Sequence, residues 1–430
     1  MDTPTNRPDP IAIDLRRAPA YDPPVEFVER KGAGHPDTLC DTLAEGLARD
    51  LARTYLERDG ALRHFNVDKA LLSAGEVRLG DGRTPFGGGA VVRPSRIVLA
   101  GKVDATDGLP ALAPLTRAAY ARLQAILPWA SLPGDYAIEL WLQPSSADLL
   151  PLLARGARPD GRAPLANDTS FAVVSLPRSP LEAAVHAVER ALAEASLAGR
   201  LPLGADVKVM GLRRGDDVEV TVATAVLAHA VPDLAAYRAV KDAVHDLARS
   251  TVQGVFGRAG RRLGRLEVHV NRADLEPDGA YLTLTGSSAE AGDDGQVGRG
   301  NRVGGLITPH RSMSLEAACG KNPSGHVGKL YHALAWDAAE ALLALPGVGG
   351  ATVRLLSRIG TPVDRPVAVE VEVRPAHAAA PAADATAGEA DADATGAAVD
   401  DDAIRAAVRT ALADWRGASR RLIDGGYELA

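Results

Sequence analysis

Leu39, Leu43, Leu47 and Leu51 recur at every fourth position, with Ala44, Ala48 and Ala52 beside them. This spacing lays one apolar stripe along an α-helix and predicts one from Pro36 to about Arg58, closed by Asp59-Gly60. Proline is tolerated at a first helical position, where its missing N–H would have had no partner, so His35 becomes the N-cap. Strict alternation of apolar and polar residues predicts strands at 11–15, 96–103, 136–142, 217–227, 265–270, 280–286, 351–357 and 367–373. Helical spacing returns near 114–127, 180–197, 233–254 and 327–345. The final helix, 402–424, is amphipathic through Ile404, Val408, Leu412, Trp415 and Leu422. Paired strands followed by helices predict an α+β protein, with sheets carrying helices on one face.

A chain of 430 residues exceeds one ordinary core. The expected spans are an N-terminal arm (1–24), a first α+β domain (25–130), a second (131–280), a third (281–374) and a C-terminal helix (403–430). Between 375 and 402 the text turns acidic and nearly free of large apolar residues, a composition that predicts a disordered insertion. The net charge of −7 and the scarcity of aromatic residues argue against a nucleic-acid binder. No apolar run reaches the roughly 18 residues of a membrane span, and the first residues lack the pattern of a signal peptide. Cys40 and Cys319 are the only cysteines, which excludes a disulfide framework and fits a reducing cytoplasm.

Two stretches carry candidate chemistry. "KGAGHPD" sets Lys31, His35 and Asp37 at the mouth of the first helix, where free N–H groups and the dipole favour anions. Asp37 either caps that helix or holds a cation that an anionic ligand brings. Taken alone, His35 and Asp37 as a cap and a first-turn acid would contribute about 1 kcal/mol each at most. Asp41 and Glu45 follow at i+4 and read as a solvated acidic face. Lys208 reads alternatively as an exposed strand-edge lysine, and Cys40 as a buried one. The second stretch, 281–331, is long, glycine-rich and dense in paired charges. Its glycines allow close backbone approach to a ligand, and its Arg and Lys supply phosphate donors. Neither "GQVGRG" nor "GHVGKL" meets a standard nucleotide-binding motif. A phosphate site of another design, with aspartates for Mg²⁺, is the candidate.

"GHPDTLCD", "NVDKALL", "PFGGG", "LANDTSF", "DVKVMGLRRGD" and, above all, "GSSAEAGDDGQVGRGNRVGGLITPHRSMSLEAACGKNPSGHVGKLY" resemble the archaeal type of S-adenosylmethionine synthetase, a methionine adenosyltransferase. The resemblance runs from Val28 to Tyr331 and more loosely beyond. It implies three similar α+β domains interleaved in sequence, and a homodimer with active sites between subunits. It also implies ATP and L-methionine as substrates, Mg²⁺ and K⁺ as cofactors, and a cytoplasmic enzyme. By the same resemblance, His35 contacts the triphosphate near the departing oxygen and Asp37 is a magnesium ligand. Lys208 would reach the phosphates and the reacting centre, Asp293 and Arg299 the nucleoside and phosphate, and Lys321 the triphosphate. Asp168 would lie near adenosine and methionine, with Ser146, Asp148, Arg302, His326 and Lys329 as further ligand contacts.

The chain departs from the wider family at Thr38 and Gly300, where bacterial members carry lysine. The cationic work would then shift to Lys208, Lys321, Arg302 or Lys329. "QPSSADL" (Gln143–Leu149) replaces a glycine-rich nucleotide-associated stretch, with only Ser146, Asp148 and Leu149 fitting. Three readings compete with the synthetase: a phosphotransferase, a non-catalytic ATP-binding relative, and a synthetase acting on a methionine analogue.

Overall fold

The computed structural model describes residues 11–145, 162–275, 279–376 and 399–430. Its described strands form three main sheets and a two-stranded hairpin, Glu76–Leu79 with Gly89–Arg93. The first sheet runs Gly295–Gln296, Phe65–Ser73, Ser95–Val103, Tyr136–Pro144 and is covered by helices Pro36–Asp59 and Leu112–Ile126. The second runs Leu266–Val270, Asp217–Leu227, Leu203–Arg214, Val25–Lys31, with Leu282–Thr283 added to Asp217–Leu227. Helices Pro180–Leu197 and Leu234–Arg258 cover it. The third runs Asp14–Arg17, Ala368–Pro375, Val348–Leu356, Phe171–Leu176 under helices Val327–Leu343, Asp401–Ala413 and Trp415–Asp424.

Each helix layer closes a separate apolar core. The leucine stripe of the first helix is buried against Phe65, Leu72, Ile97 and Leu99. The opposite sheet faces leave Trp141 56% and Leu71 53% exposed on the first sheet, and Phe27 and Phe171 exposed on the other two.

The architecture is the interleaved α+β arrangement that the resemblance implied. The contiguous spans 25–130 and 281–374 each feed more than one sheet: Val25–Lys31 joins the second and Phe65–Ser73 the first, while Gly295–Gln296 joins the first and Val348–Leu356 the third. The N-terminal arm supplies Asp14–Arg17, three residues beyond the start of the expected strand, paired in parallel with Ala368–Pro375. The strand expected over 280–286 shrinks to Leu282–Thr283 because the Leu284 and Thr285 amides both donate to the Glu290 carboxylate, each at 2.6 Å. The final helix divides at Asp414, whose carboxylate accepts from the Gly417 amide and restarts the next helix. Most of the acidic insertion lies outside the described residues.

Candidate active site

The chain leaves strand Val25–Lys31 and enters the first helix along the central strand of the second sheet. The Gly32 amide donates to Val207 O at 2.6 Å and the Gly34 amide to Ala205 O at 2.9 Å. A Cβ at Gly34 would collide with the Ala205 backbone, so this approach requires glycine. His35 is the N-cap: its Nδ1 accepts from the Asp37 amide at 3.2 Å. With Nδ1 an acceptor, the neutral ring carries its proton on Nε2, which is left as a donor. Burial pushes the His35 pKa down, against the pull of the Asp206 carboxylate, so the neutral form is favoured.

Asp37 answers two elements at once. Lys31 Nζ lies 2.9 Å from Oδ2, and the Gln296 amide donates to Oδ1 at 3.0 Å. Burial raises its pKa, but these two donors outweigh it and hold the carboxyl below its ordinary value. One turn on, Asp41 is 2% exposed and its Oδ1 accepts from the Gly298 amide at 2.8 Å. The expected solvated acidic face is therefore corrected: Asp41 points inward because the glycine-rich loop lies against the first two helical turns. Its Oδ2 has no partner, and burial pushes its pKa up to about 7. A side chain at Gly300 would strike that oxygen, so this close approach requires glycine.

Glu45, the next acid of the series, is also paired inward. Its carboxylate receives Lys329 Nζ at 2.6 Å on both oxygens and the Gly320 amide at 3.1 Å. Lys329 is 1% exposed and also donates to Lys321 O at 3.0 Å. Lys321 is itself buried, ion-paired to Glu316 and 4.0 Å from Asp68 Oδ2. His326 is buried with Nε2 3.1 Å from Asn167 Nδ2, and desolvation keeps its ring neutral.

Lys31 and Lys208 face each other directly across adjacent antiparallel strands. Like charges in that register are destabilising unless something anionic neutralises them. Lys31 has Asp37 and Arg299 O at 3.0 Å; Lys208 has Glu29 Oε1 at 3.1 Å and remains 43% exposed. Lys208 is on a central strand, not an edge. Arg299 is exposed, while Arg302 turns its guanidinium onto the Gly298 and Gly300 carbonyls at 2.5 and 3.3 Å.

The sequence profile of the S-adenosylmethionine synthetase (AdoMet synthetase) family matches residues 11–392. The chain is 40% identical over 423 residues to the S-adenosylmethionine synthase of Halobacterium salinarum, covering 96% of each. It is 41% identical over 373 residues to that of Methanothermobacter marburgensis, covering 84% of this chain and 89% of the relative. The chain belongs to the S-adenosylmethionine synthetase family. A solved synthetase from Campylobacter jejuni, described as unusual, superposes with a TM-score of 0.52 at 15% identity over 81% of this chain and 80% of its own, which supports the fold.

Within this family member, His35, Asp37 and Lys208 converge with Lys31, Asp206 and Asp293. The charges of Asp206, Lys31, Asp37 and Asp293 all act on the His35 ring. Sequence reasoning missed Asp206. It is buried at the end of the Gly34 segment and accepts from Ser288 N at 2.9 Å, Ser288 Oγ at 2.5 Å and Tyr281 OH at 3.2 Å. The signal was present two residues before Lys208, in "DVK". Lys321, His326 and Lys329 form a separate, buried group. Asp168 is exposed at the mouth of the third sheet, its backbone carbonyl held by Ser357 Oγ at 2.8 Å. Ser146 and Asp148 lie outside the described residues. No described helix is long and apolar enough to cross a membrane.

Proposed function

We propose that the chain forms S-adenosyl-L-methionine from ATP and L-methionine, with release of phosphate and diphosphate. The carrying observation is the facing pair Lys31 and Lys208 beside a neutral His35 and the open end of the first helix. A thioether is a weak, uncharged nucleophile, so the rate depends on alignment and on stabilising an anionic leaving group. Lys208 and Arg299 are the exposed cations for the triphosphate, and His35 Nε2–H is the donor for the departing oxygen. Asp206, held by Ser288 and Tyr281, fixes the field at that ring. Lys321 backs the phosphate end, with Lys329 and Glu45 beneath it as support; Arg302 supports the loop that carries Arg299. Asp293 and Asp168 are assigned to the nucleoside and methionine.

The donor set near His35 suits Mg²⁺, which takes one or two protein carboxylates and completes its shell with water and phosphate oxygens. Asp37 keeps lone pairs beyond those used by Lys31 and Gln296, and Asp293 offers an exposed carboxylate. Bound there, Mg²⁺ would neutralise triphosphate charge. The described three-residue cluster close enough to share an ion, Glu219, Glu267 and His269, is on the second sheet and takes no part. K⁺ is assigned an accessory role.

A homodimer accounts for the exposed apolar residues on the open sheet faces and for a cleft of about 650 Å³ between Leu71, Val98, Trp141 and Lys321. It would also bring the partner's surface to the exposed Asp168. The reading is a cytoplasmic one-carbon enzyme.

The test is product analysis with ATP, methionine, Mg²⁺ and K⁺. S-adenosylmethionine with phosphate and diphosphate is expected. ADP would indicate a phosphotransferase, and turnover only with longer S-alkyl homocysteines an analogue-specific enzyme. ATP bound without any product would indicate a non-catalytic relative.

A further inference from the structure

The last residues of the chain return to the glycine-rich loop. Tyr427 OH donates to Asp337 at 2.9 Å, which anchors the tail to the helix layer of the third sheet. The next residue, Glu428, gathers two arginines and a histidine from two other elements. Arg178 Nη2 donates to Oε2 at 2.7 Å, His186 Nε2 is 3.0 Å from Oε1, and Arg30 Nη1 is 3.0 Å from Oε1. Arg30 comes from a strand of the second sheet; His186 sits on the helix Pro180–Leu197, and Arg178 lies just ahead of it.

Glu428, Arg178 and Arg30 also reach one tight turn. The Gly304 amide donates to Glu428 O at 2.8 Å, Arg178 Nη2 donates to Gly304 O at 2.7 Å, and Arg30 Nη1 donates to Gly305 O at 2.5 Å. The turn is closed by Gly305 N to Arg302 O at 2.8 Å and Arg302 N to Leu306 O at 3.0 Å. Both glycines have positive φ, 97° and 77°, so a side chain there would be strained. A Cβ at Gly305 would in addition run into the Glu428 carboxylate.

Arg302 is the link from this turn to the site. Its backbone closes the turn, and its guanidinium holds the Gly298 and Gly300 carbonyls. The amides of Gln296 and Gly298 in the same loop are those bound by Asp37 and Asp41.

We propose that the C-terminal tail is a positioning element of the active site: Glu428, seated on Arg30, Arg178 and His186, locks the 302–306 turn and thereby sets Arg302, the 298–300 backbone and Arg299. This rests on the site reading given above. Two properties of Glu428 support it. Burial raises its pKa, but His186, Arg30 and Arg178 outweigh that and hold it at about 2, so the carboxylate stays charged across the working range. Its removal would leave Arg30 and Arg178 holding the Gly304 and Gly305 carbonyls without a counter-charge of their own on the tail. Arg30 would keep Glu189, 2.6 Å from its Nε, so the sheet itself need not come apart.

The experiment compares the full chain with Glu428→Gln, which keeps the shape, and Glu428→Ala, in two readouts. Amide exchange in a peptide spanning 298–307 is expected to rise roughly tenfold, while one from the helix 181–192 stays unchanged. kcat/KM for ATP is expected to fall roughly tenfold, a misplacement effect, with the alanine variant the more affected. Unchanged exchange in 298–307 would overturn the proposal. So would raised exchange with kcat/KM within about twofold of the parent, since the tail would then serve stability alone. The exchange readout needs no turnover, so it decides the tail's hold on the loop even if the wild type makes no S-adenosylmethionine. The product assay on the wild type separately decides the site reading. If Glu428→Ala fails to fold, Glu428→Gln carries both readouts.

Discussion

Two groups of charges flank the first helix, and they are built on opposite principles. At its mouth, Lys31, Asp37 and Lys208 share a few partners, and Lys208 remains 43% exposed. Eight residues beyond Asp37, Glu45 faces Lys329, which touches Lys321, which faces Glu316; the two lysines are 1% and 3% exposed. Buried ions survive only when paired and hydrogen-bonded, because each loses its water. The inner group therefore satisfies itself. The outer group carries two lysines in facing register beside a neutral imidazole, an arrangement that makes sense with an anion present. Charge density alone does not distinguish a binding site from a structural network; the count of internal partners does. Within the inner group only Lys321 and Glu316 line the open cleft, which suits the phosphate contact proposed for Lys321.

The sharpest way to break this comparison is at Lys208. Lys208→Ala should lower kcat by about 10²–10³, the usual loss for one donor to developing charge, with a melting temperature close to the parent's. A steady-state assay beside thermal unfolding checks both halves; a large loss of stability with intact turnover would reverse the assignment. The inner group should behave the other way. Lys329→Met leaves Glu45 charged and unpaired, a change worth about 3–5 kcal/mol, read as a shift of the denaturant midpoint.

Asp41 tests the boundary between the two. Its folded pKa is raised to about 7, so the folded state binds a proton that the unfolded chain has already released. Stability must fall as pH rises from the unfolded carboxyl value near 4 through 7, by at most about 4 kcal/mol, and then level off. Asp41→Asn keeps an acceptor for Gly298 and should flatten that part of the stability–pH curve. Urea midpoints between pH 4 and 8 provide the measurement. The smallest structural effect is expected at His35. Asparagine is also a good N-cap, so His35→Asn should change stability by no more than about 0.5 kcal/mol while turnover collapses. Equal losses in both would mean that the residue only caps.

Periodicity made the first helix legible to within one residue of its end, because a buried stripe of leucines has only one geometry that suits it. The strands Val25–Lys31, Phe65–Ser73 and Leu203–Arg214 were not legible that way. Two of them carry site charges among the apolar positions, Lys31 and Lys208, and the third has a register shift between Asn66 and Lys69. The motif residues were readable as words, above all His35, Asp37 and the 281–331 block. Their division into an open and a closed group was not. It depends on which loop lies on which helix turn, and helical spacing by itself gives Asp41 and Glu45 the look of a solvent face. The same limit hid Asp206, which earns its place through Ser288 and Tyr281, more than seventy residues away.

The third sheet sets a timetable for the newborn chain. Strand Asp14–Arg17 is made long before its neighbour among the described strands, Ala368–Pro375, and Arg16 meets Glu370 across 354 residues. At a ribosomal pace of about 5–20 residues per second, the early strand waits roughly 20–70 s for its mate. During that interval its hydrogen-bonding edge is unclaimed. Two arginines and an aspartate in four residues, "DLRR", give the waiting segment the charge that discourages strangers from pairing with it.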